Sequence, residues 1–329
     1  MNLSRKTRHR LLFLQKPFYD LLALINPYPK TFRYELEEKL AQLKKTEHLN
    51  TGGGIVFFSD FHWDYNAKHS AYIIKRITEE SYIRKVFFGG DIITLSEKTK
   101  YVAIDILRKF FSLFSFLSEP LYFIYGNHDN NSHNQKHKDE ILNIGDIKKA
   151  FPKNNQMHFF SDFSYYIDDE NCKTRYICLD TGKQYTTENE LENISSVLKS
   201  VPYGFHIIIL THIVLEFIEK KYQPRETISK ILNLFDSYNN SNTYGHIECI
   251  IGGHIHNDYV SSTKNGIPII LTDCDGYLFS TNRFLRKRGH LSEQCVNVII
   301  PDYKNDVIRI IRFGYGDDKT IRLINKGKA

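Results

Sequence analysis

The sequence predicts an α/β fold, and three observations carry that expectation. From Ile55 onward, short apolar runs alternate with amphipathic helical stretches. Five of these apolar runs break abruptly into Asp, Asn or His. After Gly289 the alternation stops, and Cys295 to Pro301 and Asp306 to Phe313 read as paired strands that close one sheet antiparallel. The 329 residues, 41% hydrophobic, suffice to bury a large core.

Taken in order, residues 1–50 read as a helical N-terminal extension and residues 51–329 as the main body. In the extension, Leu11, Leu12, Leu14, Phe18, Leu21, Leu22 and Ile25 recur at near-helical spacing until Pro27 and Pro29 break the pattern. A second helix is predicted from Phe32 to Leu43, with Leu36, Leu40 and Leu43 on one face. The extension either packs on the body, docks a partner chain or larger assembly, or lies as a basic helix on a membrane surface. Arg5, Lys6, Arg8 and Arg10 precede Leu11-Leu-Phe-Leu as in a signal peptide. Gln15, Lys16, Pro17 and Asp20 then cut the apolar run, and no small-residue cleavage site follows. No stretch reaches the roughly 18–20 apolar residues of a membrane span. The expectation is a cytoplasmic protein.

Thr51-Gly-Gly-Gly54 reads as a linker into the first strand, since it does not open a helix. Strands are predicted at about 55–59, 86–89, 121–125, 176–180, 206–211, 248–252 and 267–272, and helices at about 68–80, 100–117, 188–199 and 225–238. The net charge of +6 suits an anionic substrate but is too weak to indicate nucleic acid by itself. Cys172, Cys178, Cys249, Cys274 and Cys295 form no CxxC pair and read as core or neutral surface thiols of a reducing compartment.

The chemistry lies at the strand tips. Phe57-Phe-Ser-Asp60-Phe-His62, Phe87-Phe-Gly-Gly-Asp91, Tyr122-Phe-Ile-Tyr-Gly-Asn-His-Asp129, Ile208-Ile-Ile-Leu-Thr-His212 and Ile250-Ile-Gly-Gly-His254-Ile-His256 each end in polar groups, where open α/β sheets place ligands. They offer Asp60, His62, Asp91, Asn127, His128, His212, His254 and His256. Residues two apart in an extended segment share a face, so Asp60 with His62, and His254 with His256, are expected to aim at one point. Imidazole, carboxylate and amide together suit Mn, Fe or Zn rather than Ca. Seven such groups suit two divalent ions sharing a carboxylate, an arrangement that attracts phosphate and ionises a bridging water for in-line attack. His128 is then free to protonate the leaving oxygen.

The series Asp-x-His, Gly-Asp, Gly-Asn-His-Asp, Thr-His and Gly-His-x-His, in this order between about residues 55 and 275, resembles the calcineurin-like metallophosphoesterase superfamily. The resemblance implies a four-layer sandwich of two mixed β-sheets flanked by α-helices. It implies that Asp60, His62, Asp91 and His256 hold one metal, that Asp91 bridges, and that Asn127, His212 and His254 complete the second. It makes His128 the acid–base histidine. Mn is the expected metal, with Fe and Zn as alternatives. The protein Ser/Thr phosphatase branch usually carries an Asp three residues after the bridging Asp, then an Arg that grips phosphate; here those positions are Thr94 and Leu95. That branch also tends to have Glu where Asp129 stands. The pattern is closer to the phosphodiesterase and nuclease-like branches.

The expected function is therefore hydrolysis of a phosphodiester, or secondarily a phosphomonoester, by metal-bound hydroxide. The rival readings are an assembly protein of the same fold docking through residues 1–50, and a nuclease of the same chemistry. His133 and His137 fit a solvated loop from Asn130 to Lys138, or the rim of a substrate entrance. The other histidines read as non-catalytic. Asp129 either bonds within its loop or supports a neighbouring histidine. Arg283, Arg286, Lys287 and Arg288 read as a solvated basic loop, alternatively meeting a phosphate backbone. Asp273 and Asp275 carry no assigned role.

Overall fold

The computed structural model describes residues 28–49, 53–94, 97–133, 135–151, 155–215, 225–241 and 245–323, together with 17 and 21. The helical pattern expected from Leu11 to Ile25 lies almost wholly outside these residues, as do Thr51, Gly52 and Leu95. In chain order the helices are α1 (Lys30–Lys44), α2 (Ala67–Glu80), α3 (Lys100–Leu113), α4 (Ile144–Ala150), α5 (Glu188–Lys199) and α6 (Arg225–Ser241). The strands are β1 (Ile55–Phe58), β2 (Lys85–Phe88), β3 (Leu121–Phe123), β4 (His158–Phe159), β5 (Tyr165–Asp169), β6 (Thr174–Leu179), β7 (Phe205–Thr211), β8 (Gly245–Gly252), β9 (Tyr259–Ser262), β10 (Pro268–Leu271), β11 (Cys295–Asp302), β12 (Val307–Gly314) and β13 (Lys319–Arg322).

They form the two mixed sheets that the sequence predicts. One has the order β13-β12-β11-β1-β2-β3, the other β4-β5-β6-β7-β8-β10-β9. Period-two alternation builds the layers. In β7, Ile208 and Leu210 join the core between the sheets, while Ile207 and Ile209 join the cluster under α5 and α6. In β2, Phe87 meets Tyr176 of β6 across the sheets, with ring centroids 5.2 Å apart. Phe88 meets Phe110 of α3 on the outer side at 4.5 Å. Helix, sheet, sheet and helix thus stack in four layers. β1, β2 and β3 run parallel, as do β7 and β8, so their C-terminal ends gather at one edge of the sandwich. β11 and β12 pair antiparallel over eight residues, as predicted for the C-terminal segment.

Helix α1 buries Phe32, Leu36, Leu40 and Leu43, each worth roughly 1.5–3 kcal/mol of removed apolar surface. Glu35 accepts the Leu291 N–H at 2.7 Å, and Lys39 pairs with Asp318 at 2.9 Å. This helix is part of the packed body.

Helix α3 ends at Leu113 rather than near 117, because Phe114 leaves helical geometry at its C-cap. Five elements have no counterpart among the expected ones: α4, β4, β5, β9 and β13. β9 and β13 lie at the outer edges of the sheets with no fully buried side chain, so they carry no apolar run to read. Helix α4 is only seven residues long but has a capping box in which Asn143 and Asp146 bond reciprocally. That Asn-x-x-Asp pattern was a legible start signal.

Candidate metal centre

All eight side chains expected at the strand tips converge. Asp60 Oδ1 lies 3.2 Å from His256 Nε2, which lies 3.1 Å from His62 Nε2. Asp91 Oδ2 lies 3.2 Å from His212 Nε2, which lies 3.0 Å from Asn127 Oδ1. His254 joins Asp91 and His212, with all three ligand atoms within 4.8 Å of one another. His62, Asp91 and His128 form a second such triplet. Asp91 therefore belongs to both.

The backbone reason differs from simple alternation. The strands stop before these residues, and Asp60, His62, Asp91, His254 and His256 have φ of 56°, 49°, 64°, 70° and 51°. They are half of the ten non-glycine residues with positive φ among the described residues. Each such conformation costs on the order of 1–3 kcal/mol, and strain of this kind clusters at functional sites. Left-handed turns, not pleating, aim these groups inward. The motif glycines make room. A Cβ on Gly253 would sit 2.4 Å from Asp60 Oδ2, and one on Gly126 would sit 2.2 Å from the Asp91 nitrogen.

Backbone carbonyls orient the imidazoles. His62, His212 and His256 place Nδ1 at 3.2, 2.7 and 2.9 Å from the carbonyls of Ile93, Gly89 and Phe279. An N–H donated there leaves the Nε2 lone pair facing the centre. Asp60 Oδ2 accepts from Ser59 Oγ at 2.6 Å and from the His254 N–H at 2.9 Å. Its buried Oδ1 faces His256 Nε2 at 3.2 Å, outside hydrogen-bond geometry.

The electrostatics call for cations. Burial drives His62 down to about 3 and His254 down to about 4, so both are neutral. Burial also opposes charge on His212 and His256, yet the carboxylates of Asp91 and Asp60 outweigh it and raise each to about 9, so without cations each Nε2 carries a proton that a bound cation would displace. Conversely, burial works to raise Asp60 and Asp91, but His256 and His212 hold them below the usual carboxylate range. Two buried carboxylates thus draw positive charge into the cluster. Divalent cations fit on three counts: the buried Asp60 Oδ1 facing the centre without a well-formed hydrogen bond, the converging Nε2 atoms, and a mixed nitrogen and oxygen donor set.

Other residues refine the sequence reading. Asp129 stays off the centre and accepts backbone N–H groups from Asp91 (3.0 Å), Ile92 (2.7 Å) and Gly126 (2.8 Å), so it bonds in its own loop only at Gly126 and otherwise reaches across to the end of β2, which neither expected role describes. Thr94 donates to the His62 carbonyl, and His128 Nδ1 has no partner among the described residues. Among the described residues no carboxylate takes that orienting place; instead His133 stacks on His128 at 4.2 Å. The Asn130–Lys138 segment is not uniformly exposed, because Asn131 is buried and donates to the carbonyls of Glu97 and Glu140. Arg286 is likewise no solvated residue: it is 3% exposed and binds the carbonyls of Cys274 (2.7 Å) and Asp275 (3.1 Å), anchoring the loop. Cys274 lies within ligand range of His62 and His256. Its thiol donates to the Asp60 carbonyl at 2.9 Å, and burial pushes its pKa well up, so it acts as a protonated support. Its place after an apolar strand, between Asp273 and Asp275, was the signal available.

The sequence model described as calcineurin-like phosphoesterase matches residues 54–258. Among solved structures, a dimetal phosphatase from Danio rerio superposes with a TM-score of 0.59 at 11% identity, covering 82% of this chain and 98% of its own. The phosphopantetheinyl hydrolase from Mycobacterium tuberculosis gives a TM-score of 0.35 at 11% identity, covering 68% and 89%. No curated protein matches the sequence.

Proposed function

Since the chain belongs to the calcineurin-like phosphoesterase family, we propose that this metal-dependent hydrolase of phosphoric esters cleaves a diester in preference to a monoester. In this reading Asp60, His62, Asp91 and His256 hold one divalent cation. Asp91, Asn127, His212 and His254 hold a second, with manganese the preferred occupant of both and iron or zinc the alternatives. The observation that carries it is the position of Asp91, whose carboxylate is within ligand range of His62 on one side and of His212 and His254 on the other. When bound, the cations supply Lewis acidity to the phosphoryl oxygens and acidify water.

The chain's own groups do the rest. The three Nδ1-to-carbonyl bonds fix the imidazoles before any ligand arrives. His128 Nε2 lies 3.9 Å from Asp91 Oδ2, so a proton held on that nitrogen stands at the edge of the centre, ready for the leaving oxygen. The diester preference is supported by Thr94 and Leu95, where the monoester-cleaving protein Ser/Thr phosphatase branch usually carries Asp and a phosphate-gripping Arg. A diester bears less charge and loses less without that Arg. Five free buried thiols support a cytoplasmic setting.

The test is turnover of bis-p-nitrophenyl phosphate against p-nitrophenyl phosphate with manganese. Faster diester turnover is expected. Faster monoester turnover overturns the preference, and hydrolysis of neither overturns the reaction.

A further inference from the structure

A cavity of about 800 Å³ opens beside the centre, sharing Asn127 with it and bordered by His133 where that ring stacks on His128. It is large enough for a small organic group rather than a bare phosphate. We infer that this cavity is the subsite for the non-phosphate part of the ester, and that it takes a neutral, planar heteroaromatic group such as a nucleoside. The inference rests on the phosphoesterase reading for the identity of the ester and deepens it.

Three features argue for that class. First, the two ordinary charged groups of the lining, Lys183 and Asp162, are both paired. Lys183 is paired with Glu190, and its ammonium also lies 5.2 Å from the centroid of the Tyr185 ring. Asp162 is paired with Lys148 at 2.6 Å. A second phosphate or a polyanionic strand would find no free cation among the lining residues. Burial raises the Asp180 carboxyl to about 7, which further reduces charge on the wall.

Second, two large apolar side chains stand uncovered in it. Tyr185 is 52% exposed and Ile144 is 46% exposed, and both line this cavity. A flat aromatic guest would cover them, and ring-on-ring stacking accepts any such guest. A rigid back wall already exists: Tyr125 stacks on Phe163 at 4.9 Å with an interplanar angle of 9°. Third, Asn130, Asn143 and Gln184 place neutral amides around the same space. The oxygens of Asn130 and Asn143 already accept the Ser132 and Asp146 N–H groups, so these two amides chiefly present donors, which suits the acceptor edge of a heterocycle and does nothing for an alkyl chain.

Gly182 ties this wall to the centre. A Cβ there would meet the Tyr125 carbonyl at 2.5 Å and the Gly126 carbonyl carbon at 2.7 Å. The loop carrying Lys183 and Tyr185 therefore packs directly on the strand end that presents Asn127.

The decisive measurement is equilibrium binding of adenosine and of ribose to the full chain in EDTA, followed by calorimetry or ligand-observed NMR. It needs no turnover. Adenosine should bind at least tenfold more tightly than ribose. Tyr185→Ala should weaken adenosine about tenfold and Tyr185→Phe should not; thermal unfolding of each variant shows that the fold is kept. Equal affinity for adenosine and ribose, or adenosine binding untouched by Tyr185→Ala, overturns the inference. A turnover arm compares thymidine 5′-(p-nitrophenyl phosphate) with methyl p-nitrophenyl phosphate, which share one leaving group. A higher kcat/KM for the thymidine ester, with the ratio reduced in Tyr185→Ala, supports the subsite, and equal values overturn it. A protein that binds adenosine as described but cleaves neither ester refutes the phosphoesterase reading and leaves the subsite standing.

Discussion

The carboxylate of Asp129 accepts the backbone N–H of Asp91 at 3.0 Å, and so one acidic side chain that never reaches the centre sets the position of another that does. The same carboxylate takes the N–H groups of Ile92 and Gly126 at 2.7 and 2.8 Å. Asp91 adopts φ 64°, where the β2 ladder has ended. Its neighbours' N–H groups would otherwise be buried without acceptors. One side chain thereby fastens the end of β2 to the end of β3.

Asp129→Ala should therefore destabilise the fold by at least about 3 kcal/mol, because it strands several buried donors that had a strong acceptor. Asp129→Asn should fall between, since an amide keeps one acceptor but turns N–H groups toward N–H groups. Urea unfolding measures both. A loss below about 1 kcal/mol for the alanine variant would show that water or a backbone shift replaces the carboxylate.

Asp91→Asn should lower cation content by at least one per chain when the purified protein is analysed for metal. The carboxylate faces both histidine groups, and an amide supplies neither the charge nor the second oxygen anion to share. The fold should survive, because the Asp91 backbone bonds to Asp129 and to the His62 N–H are untouched. Two cations retained at full occupancy would exclude a shared role for this residue.

These relationships also mark where sequence reading stops. Asp60, His62, Asp91, Asn127, His128, His212, His254 and His256 were legible because polar groups at the end of a buried apolar run are costly unless they have a task. The reason for their convergence was not legible. Asp60 and His62 share an aim through left-handed turns, a conformation that Asp and His do not advertise. Arg286 looks like an exposed loop charge in sequence, and Asp129 like a residue bonding within its loop or supporting a histidine, yet each is buried with distant backbone groups as partners. Backbone hydrogen bonds across more than ten residues leave no local pattern. Edge strands such as β9, whose pairing depends on β10 rather than on its own apolar residues, are silent for a related reason.

Acid should weaken the fold through a second buried carboxylate, remote from the centre. Glu248, near the start of β8, is 3% exposed and bonds to His206 Nδ1, while His246 Nδ1 lies 3.4 Å away. Burial works to raise its pKa, but these two imidazoles prevail and hold the carboxyl down to about 2, below its ordinary 4.5. The unfolded chain then binds this proton more readily than the folded one. The contribution is present above about pH 4.5 and is lost as pH falls toward 2; it is worth about 3 kcal/mol. Glu248→Gln should be less stable than the native chain by about that amount at pH 6, and the gap should close below pH 3. A gap that is constant with pH would mean that the carboxylate contributes through packing alone.

Among the described residues no carboxylate orients the His128 ring through Nδ1. Its Nδ1 is buried without a partner among the described residues, and its support is the stacked ring of His133 at 4.2 Å and the edge of His62 at 5.3 Å. A proton donor matters most when the leaving group is a poor one. His128→Asn should therefore keep its cation content yet lose turnover of an alkyl phosphodiester by about a hundredfold or more, while bis-p-nitrophenyl phosphate falls by less than about tenfold. His133→Ala should show a weaker version of the same split, since it loosens the ring without removing the proton. Undiminished turnover of the alkyl ester by His128→Asn would remove the acid role. Equal loss on both esters together with lost metal would instead make His128 a ligand alongside His62 and Asp91, the alternative that their mutual distances already allow.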